Sequence, residues 1–210
     1  MVKVVLRSEQ QLLTHSPLYN FTTKHSEEPN SVTILRQASA DAFQPFSTTE
    51  KQGAIYFDLW SYSFALQLQQ VLKAHDVVKG VLRLRRTTTD FSYIEEDILA
   101  LSEWFGEVQN VTVRTNTNGE LRYTIVLCEF GESMIAHLEY MVGDARIEFE
   151  WSSHLHIVEF DSLQMIGDIN NNHALYKNID AIVQYAIQWN ASYNQKLATI
   201  KELLQRGEKR

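Results

Sequence analysis

Arg146-Ile147-Glu148-Phe149-Glu150-Trp151 alternates charged and apolar residues without a break. A period of two describes a strand with one face in a core and the other in water. Its neighbours extend the pattern. Val111 and Val113 alternate with polar residues, Asn118-Gly119 is a strong two-residue hairpin signal, and Tyr123–Cys128 returns. Gly131 then turns the chain, Met134–Val142 runs out, and Gly143-Asp144 turns it again into the quoted stretch. Leu155–Phe160 reads as the last strand. Strands that follow one another with no helical segment between them predict an antiparallel meander rather than a βαβ series.

Helical spacing brackets this run. Ile55–Leu59 reads as a short strand, with Asp58 as a cap for a helix carrying Trp60, Phe64, Leu68 and Leu72. Gly80 ends that unit and Val81–Arg85 reads as a strand. Ser92 and Glu95 match a capping box ahead of Ile94, Ile98, Leu101 and Phe105, and Gly106 stands where a C-terminal cap belongs. Beyond the polar loop at 168–172, Leu175, Ile179, Ile182, Ala186 and Trp189 share one face of a predicted helix. Ser192 and Gln195 then open a last helix with Leu197, Ile200 and Leu204. Residues 1–52 hold all three prolines and only short apolar runs, Val2–Leu6 and Val32–Leu35. The expected organisation is an irregular N-terminal region, 1–52, followed by an α+β domain, 53–210.

The bulk numbers narrow the function. Lys and Arg total 19 against 26 Asp and Glu, for a formal charge of −7, which argues against nucleic-acid or anionic-membrane binding. The apolar start is too short for a signal peptide, and no stretch approaches the roughly 20 apolar residues of a membrane span. The single cysteine, Cys128, excludes an intrachain disulfide, and the cytoplasm is the expected compartment. The Asn-x-Ser/Thr sequons at Asn20, Asn110 and Asn190 are then chance matches.

The segments and their order resemble the C-terminal domain of the Gfo/Idh/MocA family (glucose–fructose oxidoreductase, inositol dehydrogenase, MocA). Lys79-Gly80-Val81 is similar to the family's entry into its first sheet strand, and Trp104-Phe105-Gly106-Glu107-Val108 to the end of its next helix. Cys128-Glu129-Phe130-Gly131-Glu132-Ser133 resembles a family hairpin. Arg146–Phe149 with Val158-Glu159-Phe160 resembles the strand pair that follows it, and Ala174–Trp189 the closing helix. The resemblance implies an open, largely antiparallel sheet with helices packed on one face. It also implies homo-oligomers, homodimers first, formed through the open face. On that face the candidate interface residues are His137, Glu139, Arg146, Glu148 and Glu150.

The family's chemistry does not carry over. Its dinucleotide fingerprint, G-x-G-x-x-G after a first strand, lets backbone approach a pyrophosphate. This chain has no glycine before Gly53. No cofactor is therefore evident, and NAD(P) enters only if a Rossmann-containing partner chain or a shortened N-terminal half supplies the site. The family's Glu-Lys-Pro motif is nearest Glu27-Glu28-Pro29, with Glu28 at the lysine position and Lys24 out of place. Its His-x-x-Asp pair falls on Glu96 and Leu99. Glu96 and Lys24 are thus the catalytic candidates, although a helix glutamate is ordinarily a solvated residue.

Three further constellations stand out. With Ser152-Ser153 as a tight turn, His154 pairs with Trp151 and His156 with Phe149, on the apolar side. His137 then lies near Glu150 and Glu139 near Glu148 on the other face, so histidines and carboxylates are separated and no metal site is expected. Cys128 reads as a small buried hydrophobe. Arg83 and Arg85 share a strand face with Arg86 beyond them. Salt bridges are the ordinary use, and a phosphate or carboxylate ligand the functional one.

Overall fold

A computed structural model describes residues 2–7, 19–22, 31–36, 53–74, 79–88, 93–116, 122–162, 187–188 and 191–208. The N-terminal apolar runs form strands: β1 (Val2–Arg7), β2 (Tyr19–Thr22) and β3 (Ser31–Arg36). With β4 (Gly53–Tyr56) they make a parallel sheet in the order β2-β1-β3-β4, so this region is more regular than its composition suggests.

The main body continues with α1 (Ser63–Ala74), β5 (Gly80–Thr87), α2 (Tyr93–Phe105), β6 (Val108–Asn116), β7 (Tyr123–Phe130), β8 (Met134–Met141), β9 (Arg146–Ser152) and β10 (Ile157–Asp161). β11 (Ile187–Gln188) pairs antiparallel with β4, and α3 (Ala191–Glu208) closes the described chain. β5 to β10 form one open six-stranded sheet, ordered β10-β9-β5-β8-β7-β6. Its pairs are antiparallel except β5 with β8. The α+β class, with an open, largely antiparallel sheet and helices on one face, is as predicted.

Strict alternation builds the core. Leu82 and Leu84 on β5, Ala136 and Leu138 on β8, and Phe149 and Trp151 on β9 point to the helical side and are buried. Phe64 of α1 stacks on Phe149, with centroids 4.3 Å apart. Ile98 and Leu101 of α2 and Leu197 and Ile200 of α3 fill the same cluster. Two glycines make the α2–β6 and β7–β8 corners compatible. Gly106 ends α2 at φ +91°, its N–H donating to Ser102 O at 3.0 Å, as the sequence predicts. Gly131 turns the chain at φ +51°, and its N–H donates to Glu107 O at 3.1 Å.

Several expectations are corrected. The strand predicted over 55–59 stops at Tyr56, and Asp58–Ser61 forms a 3-10 helix with Asp58 buried rather than capping α1. β8 and β9 are not a hairpin: β5 lies between them, pairing with both. The last strand begins at Ile157, not Leu155, because Ser153–His156 form a turn. Ser153 N–H donates to His156 O at 2.9 Å, and His156 N–H donates to Ser153 Oγ at 3.0 Å. Ile157 therefore pairs with Ser152 and Val158 with Trp151, and His154 and His156 sit in the turn rather than on the strand. The helix expected from Leu175 to Trp189 lies outside the described residues apart from Ile187 and Gln188, which are strand. Asn118, Gly119 and Ser92 also lie outside them.

Candidate functional site

β5 places Arg86 on the same inward face as Leu82 and Leu84, where a guanidinium needs buried partners. α2 and the 3-10 helix supply them. Arg86 Nε and Nη2 donate to Asp97 Oδ2 and Oδ1 at 2.6 and 2.7 Å, a bidentate fork. Nη1 donates to Asp58 Oδ2 at 3.0 Å. Tyr140 of β8 donates its hydroxyl to Asp97 Oδ2 at 3.1 Å. The Arg86 guanidinium also lies 4.5 Å from the ring centroid of Tyr93. Burial works against its charge, but Asp97 and Asp58 more than offset this and hold its pKa well above the ordinary value. Burial, and after it the Asp97 charge, keeps the Tyr140 hydroxyl protonated far above its usual range.

Glu96 is part of this network. It is 1% exposed, against the expectation of a solvated helix residue, and its Oε1 accepts from the backbone N–H of Asp58 at 2.6 Å. The reason is that α2 packs its Glu96-Asp97 edge against the 3-10 helix, whose first turn needs an acceptor. Leu99 is fully buried in the core. The other catalytic candidate, Lys24, lies outside the described residues, as do Glu27, Glu28 and Pro29. Cys128 is buried and its thiol is pushed up to about 12, so it behaves as the small hydrophobe expected.

The opposite face of the sheet carries the remaining candidates in rows set by strand register. One row runs Ser152–Val81–Ile135–Glu129 across β9, β5, β8 and β7. The next is Glu150–Arg83–His137–Leu127, and the third Glu148–Arg85–Glu139–Ile125. Arg83 thus separates His137 from Glu150, and Arg85 separates Glu139 from Glu148; the direct neighbours expected from a β8–β9 hairpin do not occur. Arg85 donates to Glu139 at 2.7 Å and to Glu148 at 3.2 Å, and the Glu139 hydrogen bond raises its pKa. Arg146 reaches Glu148 at 2.8 Å and Asp161 at 3.0 Å. Arg83 borders a depression of about 460 Å³ whose other charged walls, Glu148, Glu150, Glu159 and Asp161, are all acidic.

No family model and no curated protein matches the sequence. The structure does find relatives in shape. GenD2 from gentamicin A biosynthesis, solved with NAD, matches 84% of this chain and 69% of its own at TM-score 0.53 and 12% identity. Myo-inositol dehydrogenase from Lactobacillus casei, solved with NAD(H) and myo-inositol, matches 86% of this chain and 69% of its own at TM-score 0.53 and 9% identity. Biliverdin reductase from Synechocystis sp. PCC 6803, solved with biliverdin and NADP+, matches 86% and 72% at TM-score 0.50 and 11% identity. The fold is that of the Gfo/Idh/MocA dehydrogenases.

The matched share exceeds what residues 53–210 make up, so the likeness includes residues before Gly53. Residues 8–18, which join β1 to β2, contain no glycine. No helix among the described residues is long and apolar enough to cross a membrane.

The sequence reading missed Arg86, Asp97, Asp58 and Tyr140 as one unit. A signal was present: Arg86 continues the inward Leu82–Leu84 series, and Asp97 lies three residues after Ile94 and four before Leu101 on α2's apolar stripe.

Proposed function

We propose that this chain is an oxidoreductase-like protein without independent NAD(P)-dependent turnover, working as an oligomeric binding and interaction module. The observation that carries this reading is Glu96. At the position where the resemblance implies an acid–base histidine stands a buried carboxylate, closed in beside the Arg86–Asp97–Asp58 network and holding a backbone N–H. That arrangement locks α2, the 3-10 helix and β5 together and offers a substrate no accessible proton donor.

The open sheet face supports the interaction half of the reading. Val81, Leu127, Ile135 and Ile157 are 53%, 45%, 50% and 63% exposed on that one face, among the charges of Arg83, Glu139, Arg146, Glu148 and Glu150 and beside His137. Apolar residues ringed by charges fit a protein interface, and a second copy of the chain is the occupant proposed here. Calorimetry with NAD(H) and NADP(H) tests the first half: no heat of binding is expected, and micromolar affinity would overturn it. Light scattering on a sizing column tests the second. A dimer is expected, reduced to monomer by Leu127→Glu; an unchanged elution with that variant would remove the face from consideration.

The parallel order β2-β1-β3-β4 favours a second reading, an oxidoreductase component completed by a shortened N-terminal half or by a separate nucleotide-binding chain. The same calorimetry addresses the shortened half. Co-purification with a dinucleotide-binding protein addresses the separate chain.

A further inference from the structure

We infer that the cleft between the C-terminal end of α2 and the first turns of α3 is a binding site for a small primary amine. Its walls include Ser102 of α2, Glu107 and Val108 at the α2–β6 corner, and Lys196, Thr199 and Ile200 of α3. Its volume is about 310 Å³, at the lower end of the range for small-molecule sites. These residues belong neither to the interface face nor to the Arg86 network, so the inference goes beyond the reading above and its failure would leave that reading untouched.

The direction of the hydroxyl protons decides what the cleft can hold. Ser102 Oγ donates to Leu99 O at 2.7 Å, and Thr199 Oγ1 donates to Gln195 O at 3.0 Å, each turned back onto its own helix. A hydroxyl whose proton is spent in this way offers only lone pairs. The exposed Glu107 carboxylate also only accepts, and it forms no ion pair among the described residues. The cation in the wall, Lys196, is already taken: its Nζ lies 2.6 Å from Glu103 Oε1 and 5.3 Å from the Tyr193 ring centroid. α2 carries no basic residue of its own in its last turn, and the negative end of its dipole lies between Ser102 and Glu107.

Acceptors beside a helix C-terminus favour a cation. An ammonium has three N–H donors, one for each of Ser102, Thr199 and Glu107. Val108 and Ile200 supply an apolar wall for the carbon body that carries it. A primary amine is protonated at neutral pH, as lysine is. A carboxylate ligand would instead meet Glu107 and find Lys196 already paired.

NMR titration of the full chain with cyclohexylammonium, cyclohexanol and cyclohexanecarboxylate at neutral pH tests the assignment, because the three probes share one carbon body. Cyclohexylammonium should bind in the millimolar range expected of so small a ligand, with shifts centred on the amides of Glu107, Val108 and Thr199. Glu107→Gln should weaken it roughly tenfold. Lys196→Met should bind it at least as tightly, since that change releases the Glu103 carboxylate. Should Glu107→Gln disturb amides outside the cleft, Thr199→Val repeats the test at an exposed position of α3, with a several-fold loss expected. Equal binding of cyclohexanol would reduce the cleft to apolar contact and overturn the amine. Preference for the carboxylate, or weaker amine binding by Lys196→Met, would make it an anion site and overturn the amine as well. Cyclohexylammonium shifts that are absent, or that centre on the acidic depression at Glu150 and Glu159, would overturn the site itself.

Discussion

Arg85 and Arg86 are adjacent in sequence and opposite in consequence. Arg85 lies on the open face, its ion pairs with Glu139 and Glu148 partly in water. Pairs of that kind are worth between nothing and about 1 kcal/mol. Arg86 is 4% exposed and compensates two buried aspartates. Removing one partner of a buried ion pair leaves uncompensated charge and costs about 3–5 kcal/mol. Arg86→Met is therefore expected to lose several times the stability lost by Arg85→Met in guanidinium unfolding, and equal losses would show that the network is not what holds this corner. Glu96 teaches the same lesson. Its place on a helix made it look solvated, and only the packing of that helix against Asp58 put it inside.

At the scale of elements, the turn from α2 into β6 and the turn from β7 into β8 meet at two glycines. The Gly106 N–H closes the helix, and the Cα of Gly131 lies 3.7 Å from where a Gly106 side chain would begin. Gly131 is the more constrained. Its φ of +51° is disfavoured for L residues, and a Cβ there would stand 2.9 Å from Phe105 O. Gly131→Ala should cost about 1–2 kcal/mol, which for a domain of this size lowers Tm by roughly 2–8 °C in calorimetry. An unchanged Tm would mean that the corner relaxes freely. These turns were legible in the sequence because a glycine ending an apolar period is a local signal. The insertion of β5 between β8 and β9 was not, because the alternating face of β9 is satisfied equally by either neighbour.

At the scale of the whole molecule, burial collects acidic groups that resist ionisation. The Cys128 thiol rises from 9.0 to about 12 by burial. Burial, and then the Glu103 charge, raises Tyr193 from 10.0 to about 12. Tyr62 and Tyr140 lie well above 10.0, first through burial and then through Asp58 and Asp97 respectively. In each case the folded pKa exceeds the unfolded one, so the unfolded chain releases its proton first. The stability is fully present below pH 9 and is lost as pH climbs from 9 toward 12. Cys128 alone should contribute a loss of about 1.4 kcal/mol per pH unit above 9. Unfolding midpoints should therefore be level from pH 7.5 to 8.5 and fall beyond 9, and Cys128→Val should flatten the fall between pH 9 and 10. A slope unchanged in that variant would place the proton release elsewhere.

The sequence by itself determined the strands β5 to β9 and the helices α2 and α3, the turns at Gly106 and Gly131, that Cys128 is inside, and the α+β class. Each of these depends on residues within a few positions of one another, where periods of 2 and 3.6 and the steric freedom of glycine act directly. The tertiary structure decided the strand order, the start of β10, the parallel arrangement of β1 to β4, and the burial of Arg86 with Asp58, Glu96 and Asp97. These depend on pairings such as Asp97 with Tyr140, 43 residues apart, and Arg86 with Asp58, 28 residues apart. A charged side chain carries no local mark of the partners that bring it inside; those partners exist only once the helices have been laid on the sheet.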